Sequence, residues 1–295
     1  MTTAAHINSQ LSNLAREQGR DLYELQVLYS LERFLDRLGR TEFAEDFVLK
    51  GGLLVAAYQL RRPTRDIDLQ AMDFQLDEDH LRAVVAAVAA LGDDDGIVID
   101  VGGTTVGQIR DDAEYSGLRV TVKAKLDLRD VKIQLDVSTG DPIWHGPETV
   151  SLPRLLGREV RVIGHPVPTV IAEKSMTILQ RGTTSTRWRD YVDIRGFLMS
   201  KTFAAGDIHQ AATAVARHRG FELEPLVGYV AGYGSVRDMQ AKWSAWCRKE
   251  GLEGRTRAQL DDQLADIVAF LDPVYSGQVD AASQWDPNTQ TWSAT

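Results

Sequence analysis

The stretch FVLKGGLLVAAYQLRRPTRDIDLQAM, Phe47–Met72, joins two patterns that seldom sit together. A short apolar run ends in the glycine pair Gly51-Gly52, and a later apolar run carries two aspartates, Asp66 and Asp68, one residue apart. FVLK reads as a strand ending at the glycines, LLVAAYQL as the helix that follows, and RDIDLQAM as the next strand, with Ile67 and Leu69 alternating with the aspartates. Residues two apart on a strand project to one side, so both carboxylates reach toward the same point. Carboxylates among apolar neighbours are costly unless positive charge meets them. Two this close repel, and one takes up a proton unless a cation intervenes. A hard divalent ion with oxygen ligands resolves the conflict. Mg²⁺ suits a site shared with substrate phosphates, with Mn²⁺ as the alternative.

Outward from this stretch, residues 21–38 place Leu25, Leu28, Leu31, Phe34, Leu35 and Leu38 at helical spacing. A helix is predicted from Leu76 to Leu91 with Leu81, Val84, Val85 and Val88 inward, and IVIDV then begins a strand. Residues 115–138 read as two adjacent strands joined by a turn near Arg129 and Asp130. On the second, Val131, Ile133, Leu135 and Val137 face one way while Gln134, Asp136 and Ser138 face the other. Pro142, Pro147, Pro153, Pro166 and Pro168 mark a loop-rich passage, after which the pattern turns helical. Near the end, Leu260, Leu264, Ile267, Val268 and Leu271 share a helix face. The expected organisation is a catalytic core with leading helices over 1–165, a helical domain over 166–277, and an extended polar tail over 278–295.

Composition fits this plan. At 295 residues the chain exceeds the usual size of one domain, and 43% hydrophobic with 25% charged residues is ordinary globular stock. No run is apolar enough to span a bilayer and the N-terminus lacks a signal pattern, so the expectation is a cytoplasmic protein. The single cysteine, Cys247, allows no internal disulfide, and six scattered histidines offer no paired zinc ligands. A net charge of −9 argues against indiscriminate nucleic-acid binding. Yet residues 151–200 hold eight basic and four acidic residues, a local excess of +4. That excess is either a solvated helix face or a docking strip for a polyanion.

Asp136, polar on an otherwise apolar strand, is the candidate third carboxylate; its plain alternative is pairing with Arg119. Two metals about 3.5–4 Å apart, clamped by three carboxylates, are recurring apparatus for in-line phosphoryl or nucleotidyl displacement. Gly51 and Gly52 fall where strand turns to helix, leaving backbone N–H groups and open space for a phosphate. The pair is not a P-loop, because GGLLVAAY lacks the trailing Gly-Lys-Ser/Thr. VGGTTVG at Val101–Gly107 is also glycine-rich, but no helix is predicted after it.

The order of these features resembles the AbiEii-type nucleotidyltransferases, the toxin halves of bacterial abortive-infection and related type IV (MenT-like) toxin–antitoxin systems, within the DNA polymerase β-like superfamily. The resemblance runs from the helix YSLERFLDRL through the glycine and Asp-x-Asp motifs to TVIAEKSMTILQRGTTSTRWRDYVDI, residues 169–194. It implies an α+β protein with an N-terminal nucleotidyltransferase-like mixed-sheet core, flanking helices and a C-terminal helical domain. Asp66 and Asp68 would bind metal, and Gly51 and Gly52 would cradle the triphosphate of an NTP substrate. Lys50 and Arg65, which flank these motifs, join the nucleotide-binding set. Lys174 would contact the nucleotide phosphates and Asp190 would complete the pocket; the ordinary alternative for Lys174 is a surface pair with Glu173. Arg181, Arg187 and Arg189 are candidates for contacts to RNA, for which the resemblance implies the tRNA 3′ end as acceptor and a cognate antitoxin as partner. A protein or small-molecule hydroxyl is the alternative acceptor, and an inactive RNA- or nucleotide-binding subunit the alternative class. One departure stands out. The superfamily often has Gly-Ser where this chain has Gly51-Gly52, which removes a hydroxyl donor.

Overall fold

The computed structural model describes residues 4–58, 60, 63–72, 74–109 and 117–293. Gln59, Arg62 and the start of the strand expected from residue 115 lie outside the described residues. The chain forms two compact units, Met1–Gly140 with Pro147–His165, and Asp141–Gly146 with Pro166–Thr295.

The first unit runs α1 (Ala4–Gln18), α2 (Leu22–Leu38), β1 (Phe47–Lys50), α3 (Gly51–Ala57), β2 (Ile67–Ala71), α4 (Glu78–Ala90), β3 (Ile97–Gln108), β4 (Gly117–Leu126), β5 (Arg129–Ser138), β6 (Glu148–Leu152) and β7 (Val160–Gly164). Helix α2 starts where Asp21 caps it by accepting from the Glu24 N–H at 2.9 Å. Its six predicted inward residues are all buried, each contributing about 1.5–3 kcal/mol by leaving water. A fully buried Arg37 on the same helix forks onto Asp95 at 3.1 and 2.6 Å and donates to the Ile97 carbonyl at 3.0 Å, fastening α2 to the start of β3.

The seven strands form one mixed sheet in the order β3-β4-β5-β2-β1-β7-β6. β2 lies parallel to β5 and antiparallel to β1, and β4 lies antiparallel to β5. The alternation read from sequence holds on β5, where Val131, Ile133, Leu135 and Val137 are buried, and continues on β4 with Val120, Val122, Ala124 and Leu126. Helices α2 and α4 pack against this part of the sheet. The opposite face of β4 and β5 is polar, carrying Arg119, Thr121, Lys123, Lys125, Lys132, Gln134 and Asp136.

Two local expectations are corrected. The β4–β5 turn falls at Asp127-Leu128 rather than at Arg129 and Asp130, since Leu126 pairs with Arg129 and Asp127 takes the left-handed conformation a tight turn needs (φ 57°). The proline-marked passage contains the β6–β7 hairpin, which completes one edge of the sheet; its prolines lie outside the paired residues. Val101–Gly107 belongs to the edge strand β3, and its glycines coincide with a register shift between Asp100 and Thr105.

The second unit is mainly helical: α5 (Val167–Arg181), α6 (Trp188–Leu198), β8 (Phe203–Ala204), α7 (Ala205–His218), α8 (Val227–Val230), α9 (Met239–Glu250), α10 (Leu260–Tyr275), β9 (Gln284–Asp286) and β10 (Thr291–Ser293). Residues 278–295 were expected as an extended tail, and this too is corrected. β9 and β10 form a hairpin that adds to β8, and the two tryptophans anchor it. Buried Trp285 donates to the Leu198 carbonyl at 2.7 Å, while Trp292 donates to the Phe270 carbonyl at 2.8 Å and stacks on that ring. An isolated two-stranded hairpin is marginal in water, so these aromatic anchors and the third strand hold it in place.

Candidate active site

The site in the first unit is built by register. On β2, Asp66 immediately precedes the strand and Asp68 lies within it, both half-buried. The parallel pairing of β2 with β5 sets Asp68 directly beside Asp136, while the antiparallel pairing of β2 with β1 sets Lys50 on its other side. Pairing of β5 with β4 then places Arg119 opposite Asp136. One row across four strands therefore reads Lys50, Asp68, Asp136, Arg119, two carboxylates bracketed by two cations. Directly opposed residues share a face, so the row is also a patch of surface.

One oxygen from each of Asp66, Asp68 and Asp136 lies within 4.8 Å of the others. At that separation two carboxylates repel by roughly 3 kcal/mol with an effective dielectric of about 20. Three hard oxygen donors converging at this distance match what Mg²⁺ or another divalent ion requires, and the donor set contains no softer ligand that would favour a different metal. The triad thus fits a divalent cation. Thr64, buried just upstream, donates its hydroxyl to Asp66 Oδ1 at 3.2 Å and fixes that carboxylate.

Gly51 explains itself here. Its φ of +66° belongs to the left-handed region, and a Cβ at this position would stand 1.8 Å from Asp68 Oδ2 and 2.8 Å from Asp68 Cβ. The glycine is the space the Asp68 carboxylate occupies. Gly52 follows as a buried residue of α3, Lys50 is the residue preceding that helix, and Arg65 is exposed beside Asp66.

The geometry adds partners that sequence reading did not place in the site. Arg119, weighed there only as the plain alternative for Asp136, grips both its oxygens, Nε to Oδ1 at 2.8 Å and an Nη to Oδ2 at 2.7 Å. Gln134, two residues before Asp136 on the same face, reaches Oδ1 at 3.5 Å. Thr64 could have been suspected from its position two residues before Asp66; Arg119 and Gln134 needed the β4–β5 register.

Lys174 and Asp190 lie in the second unit, on α5 and α6, and the structure brings them together. Lys174 Nζ meets Asp190 Oδ1 at 2.7 Å and Asp193 Oδ2 at 3.0 Å, with side-chain exposures of 12%, 5% and 1%. So Lys174 is a half-buried lysine held in an ion network with two buried carboxylates. Asp193 was left out of the site by sequence reading although it stands one helical turn beyond Asp190 in YVDI. Arg187 donates to Asp190 Oδ2 at 2.9 Å. Burial pushes the Asp190 carboxyl up, but Lys174 and Arg187 outweigh it and hold the pKa at about 2.

Three arginines of the strip are paired with carboxylates of the chain. Exposed Arg187 is tied to Asp190, exposed Arg189 approaches Glu250 at 3.3 Å, and half-buried Arg195 meets Asp266 at 2.7 Å. Part of the local +4 is thus met by carboxylates from elsewhere in the chain. Arg181 ends α5 and is half-buried. Among the described residues no helix is long and apolar enough to cross a membrane.

Comparison with known proteins sets these observations in a family. Two solved structures from Helicobacter pylori are similar: one described as a "putative nucleotidyltransferase", 15% identical over 90% of this chain and 89% of that chain with a TM-score of 0.41, and JHP933, 14% identical over 85% and 93% with a TM-score of 0.45. A search of curated proteins gives no match. The family model described as "Nucleotidyl transferase AbiEii toxin, Type IV TA system" matches residues 33–287, most of the chain and all of the site residues above. With that span and an acidic triad beside a glycine turn, the chain belongs to the AbiEii nucleotidyltransferase toxin family.

Proposed function

We propose that this nucleotidyltransferase uses an NTP and Mg²⁺ to add nucleotides to an RNA 3′ hydroxyl, foremost the acceptor end of tRNA, so that aminoacylation and with it translation are blocked. The observation that carries the reading is the register-built triad of Asp66, Asp68 and Asp136 beside Gly51. In the reaction the acceptor oxygen attacks the α-phosphorus, the bond from that phosphorus to the bridging oxygen breaks, and pyrophosphate leaves. A divalent cation held by the three aspartates would supply Lewis acidity at the α-phosphate and ease ionisation of the acceptor hydroxyl. The chain's residues do the rest. Thr64 and Gly51 keep Asp66 and Asp68 converged, Asp136 assists removal of the acceptor proton, and the Gly51-Gly52 turn leaves room for phosphates. Lys174 is assigned the charge of the departing phosphates, with Asp190 and Asp193 holding its ammonium. Arg181, Arg187 and Arg189 are assigned to the RNA backbone, a cognate antitoxin is the expected partner, and the cytoplasm is the expected setting.

A second acceptor, a protein or small-molecule hydroxyl, is favoured by one observation: Arg187, Arg189 and Arg195 all meet carboxylates of the chain itself. Incubation with each α-labelled NTP, total cellular RNA and total protein decides between them. Label in the tRNA fraction, lost with Asp66→Ala and Asp68→Ala variants that remain folded by circular dichroism, is the expected result. Label in protein alone moves the acceptor to the second reading, and label retained by either variant removes the triad from the chemistry.

A further inference from the structure

We propose that Arg119 is a resident counter-ion that competes with the divalent cation for Asp136, so that the third carboxylate is handed from guanidinium to metal when the site loads. The inference rests on reading the triad as a metal site. Its basis is geometric. Asp136 has two oxygens, and both receive a donor from the same guanidinium, at 2.8 and 2.7 Å, in the bidentate arrangement that makes arginine–carboxylate pairs strong. The same carboxylate supplies one of the three oxygens lying within 4.8 Å of one another. A cation drawn to that point meets a carboxylate whose charge is already matched, and it sits close enough to the guanidinium for like charges to repel.

The arrangement has a purpose in the absence of metal. Asp68 and Asp136 are held side by side by backbone register and cannot separate, so without a cation their repulsion acts against the β2–β5 pairing. Arg119 relieves that repulsion on the Asp136 side. Its side chain is 39% exposed, against 15% for Asp136, so it can turn toward solvent while the carboxylate stays in place. The guanidinium therefore keeps the empty site assembled and yields to a cation, at a cost to metal affinity. Lysine could not do both, because a single ammonium cannot engage two carboxylate oxygens in a fixed fork.

The test is Mn²⁺ binding to the full chain without nucleotide, read by the loss of the free-ion electron paramagnetic resonance signal. Arg119→Gln is expected to bind Mn²⁺ about ten-fold more tightly than the wild type, the direction that removing a nearby positive charge dictates. Arg119→Lys keeps the charge but loses the fork, and is expected to fall between the two. In the Asp136→Asn background, Arg119→Gln is expected to change affinity far less, because the contested carboxylate is gone. Unchanged or weaker binding in Arg119→Gln overturns the proposal and makes Arg119 a support that orients Asp136 for the metal. Tighter binding in Arg119→Gln with wild-type affinity in Arg119→Lys also overturns it, leaving only a general field effect. Asp66→Ala serves as the separate control: if it binds Mn²⁺ as the wild type does, the metal-site reading fails and the competition fails with it.

Discussion

Gly51→Ala is the most informative single perturbation, because its consequences divide into two parts that can be measured apart. The first is conformational. At φ +66° an L side chain is strained by about 1–2 kcal/mol. The second is steric and specific to the site. The new Cβ would stand 1.8 Å from Asp68 Oδ2, whereas ordinary contact begins at 3.4 Å, so the carboxylate must retreat by about 1.6 Å. Rotating the carboxylate does not suffice, since Asp68 Cβ is itself only 2.8 Å away and the β2 backbone must give as well. Misplacing a reacting group by about 1 Å costs on the order of 10²-fold in rate. The expectation is therefore a loss of about 10²-fold or more in nucleotide transfer and weakened Mn²⁺ binding, with stability lower by a few kcal/mol at most. Gly19→Ala supplies the control, because Gly19 has nearly the same φ of +61° with nothing within 4 Å of its Cβ position. That variant should show the strain in urea denaturation and none of the loss in transfer or Mn²⁺ binding. Wild-type Mn²⁺ affinity and turnover in Gly51→Ala would refute the reasoning.

Two further outcomes bear on the second unit. Lys174→Met leaves Asp190 and Asp193 buried without their shared ammonium, and should cost about 3–5 kcal/mol in urea denaturation at pH 7. With its pKa held at about 2, below the ordinary 3.8, Asp190 stabilises the fold fully above about pH 4 and loses that contribution as pH falls through 2. The deficit of the variant should accordingly shrink as pH falls from about 4 through 2, and a deficit equal at pH 7 and pH 2 would mean that Lys174 does not hold Asp190 ionised. Trp285→Ala removes a buried indole and its hydrogen bond to the Leu198 carbonyl, and should destabilise the second unit by about 3–5 kcal/mol; a melting temperature unchanged from wild type would return residues 278–295 to the status of a tail.

What the sequence determined by itself was local. The two-residue period that turns Asp66 and Asp68 to one side, the alternation on β5 that exposes Asp136, and the cap and apolar stripe of α2 are all set by neighbours within a few positions. A glycine where strand meets helix was legible at Gly51, whereas its positive φ and the room it makes for Asp68 were not. Tertiary structure decided everything that depends on which strand lies beside which. Asp136 becomes the neighbour of Asp68 only because β5 pairs in parallel with β2 across an intervening helix and two further strands, and Arg119 reaches Asp136 only through the β4–β5 register. Lys174 could be read as a surface lysine until α6 brought two carboxylates to it, and the polar stretch over 278–295 read as a tail until Trp285 and Trp292 met Phe270. Periodicity records which way a side chain points from its own element. What it points at is set by long-range pairing and packing, whose contributions come from residues far apart in the chain and leave no short-range pattern.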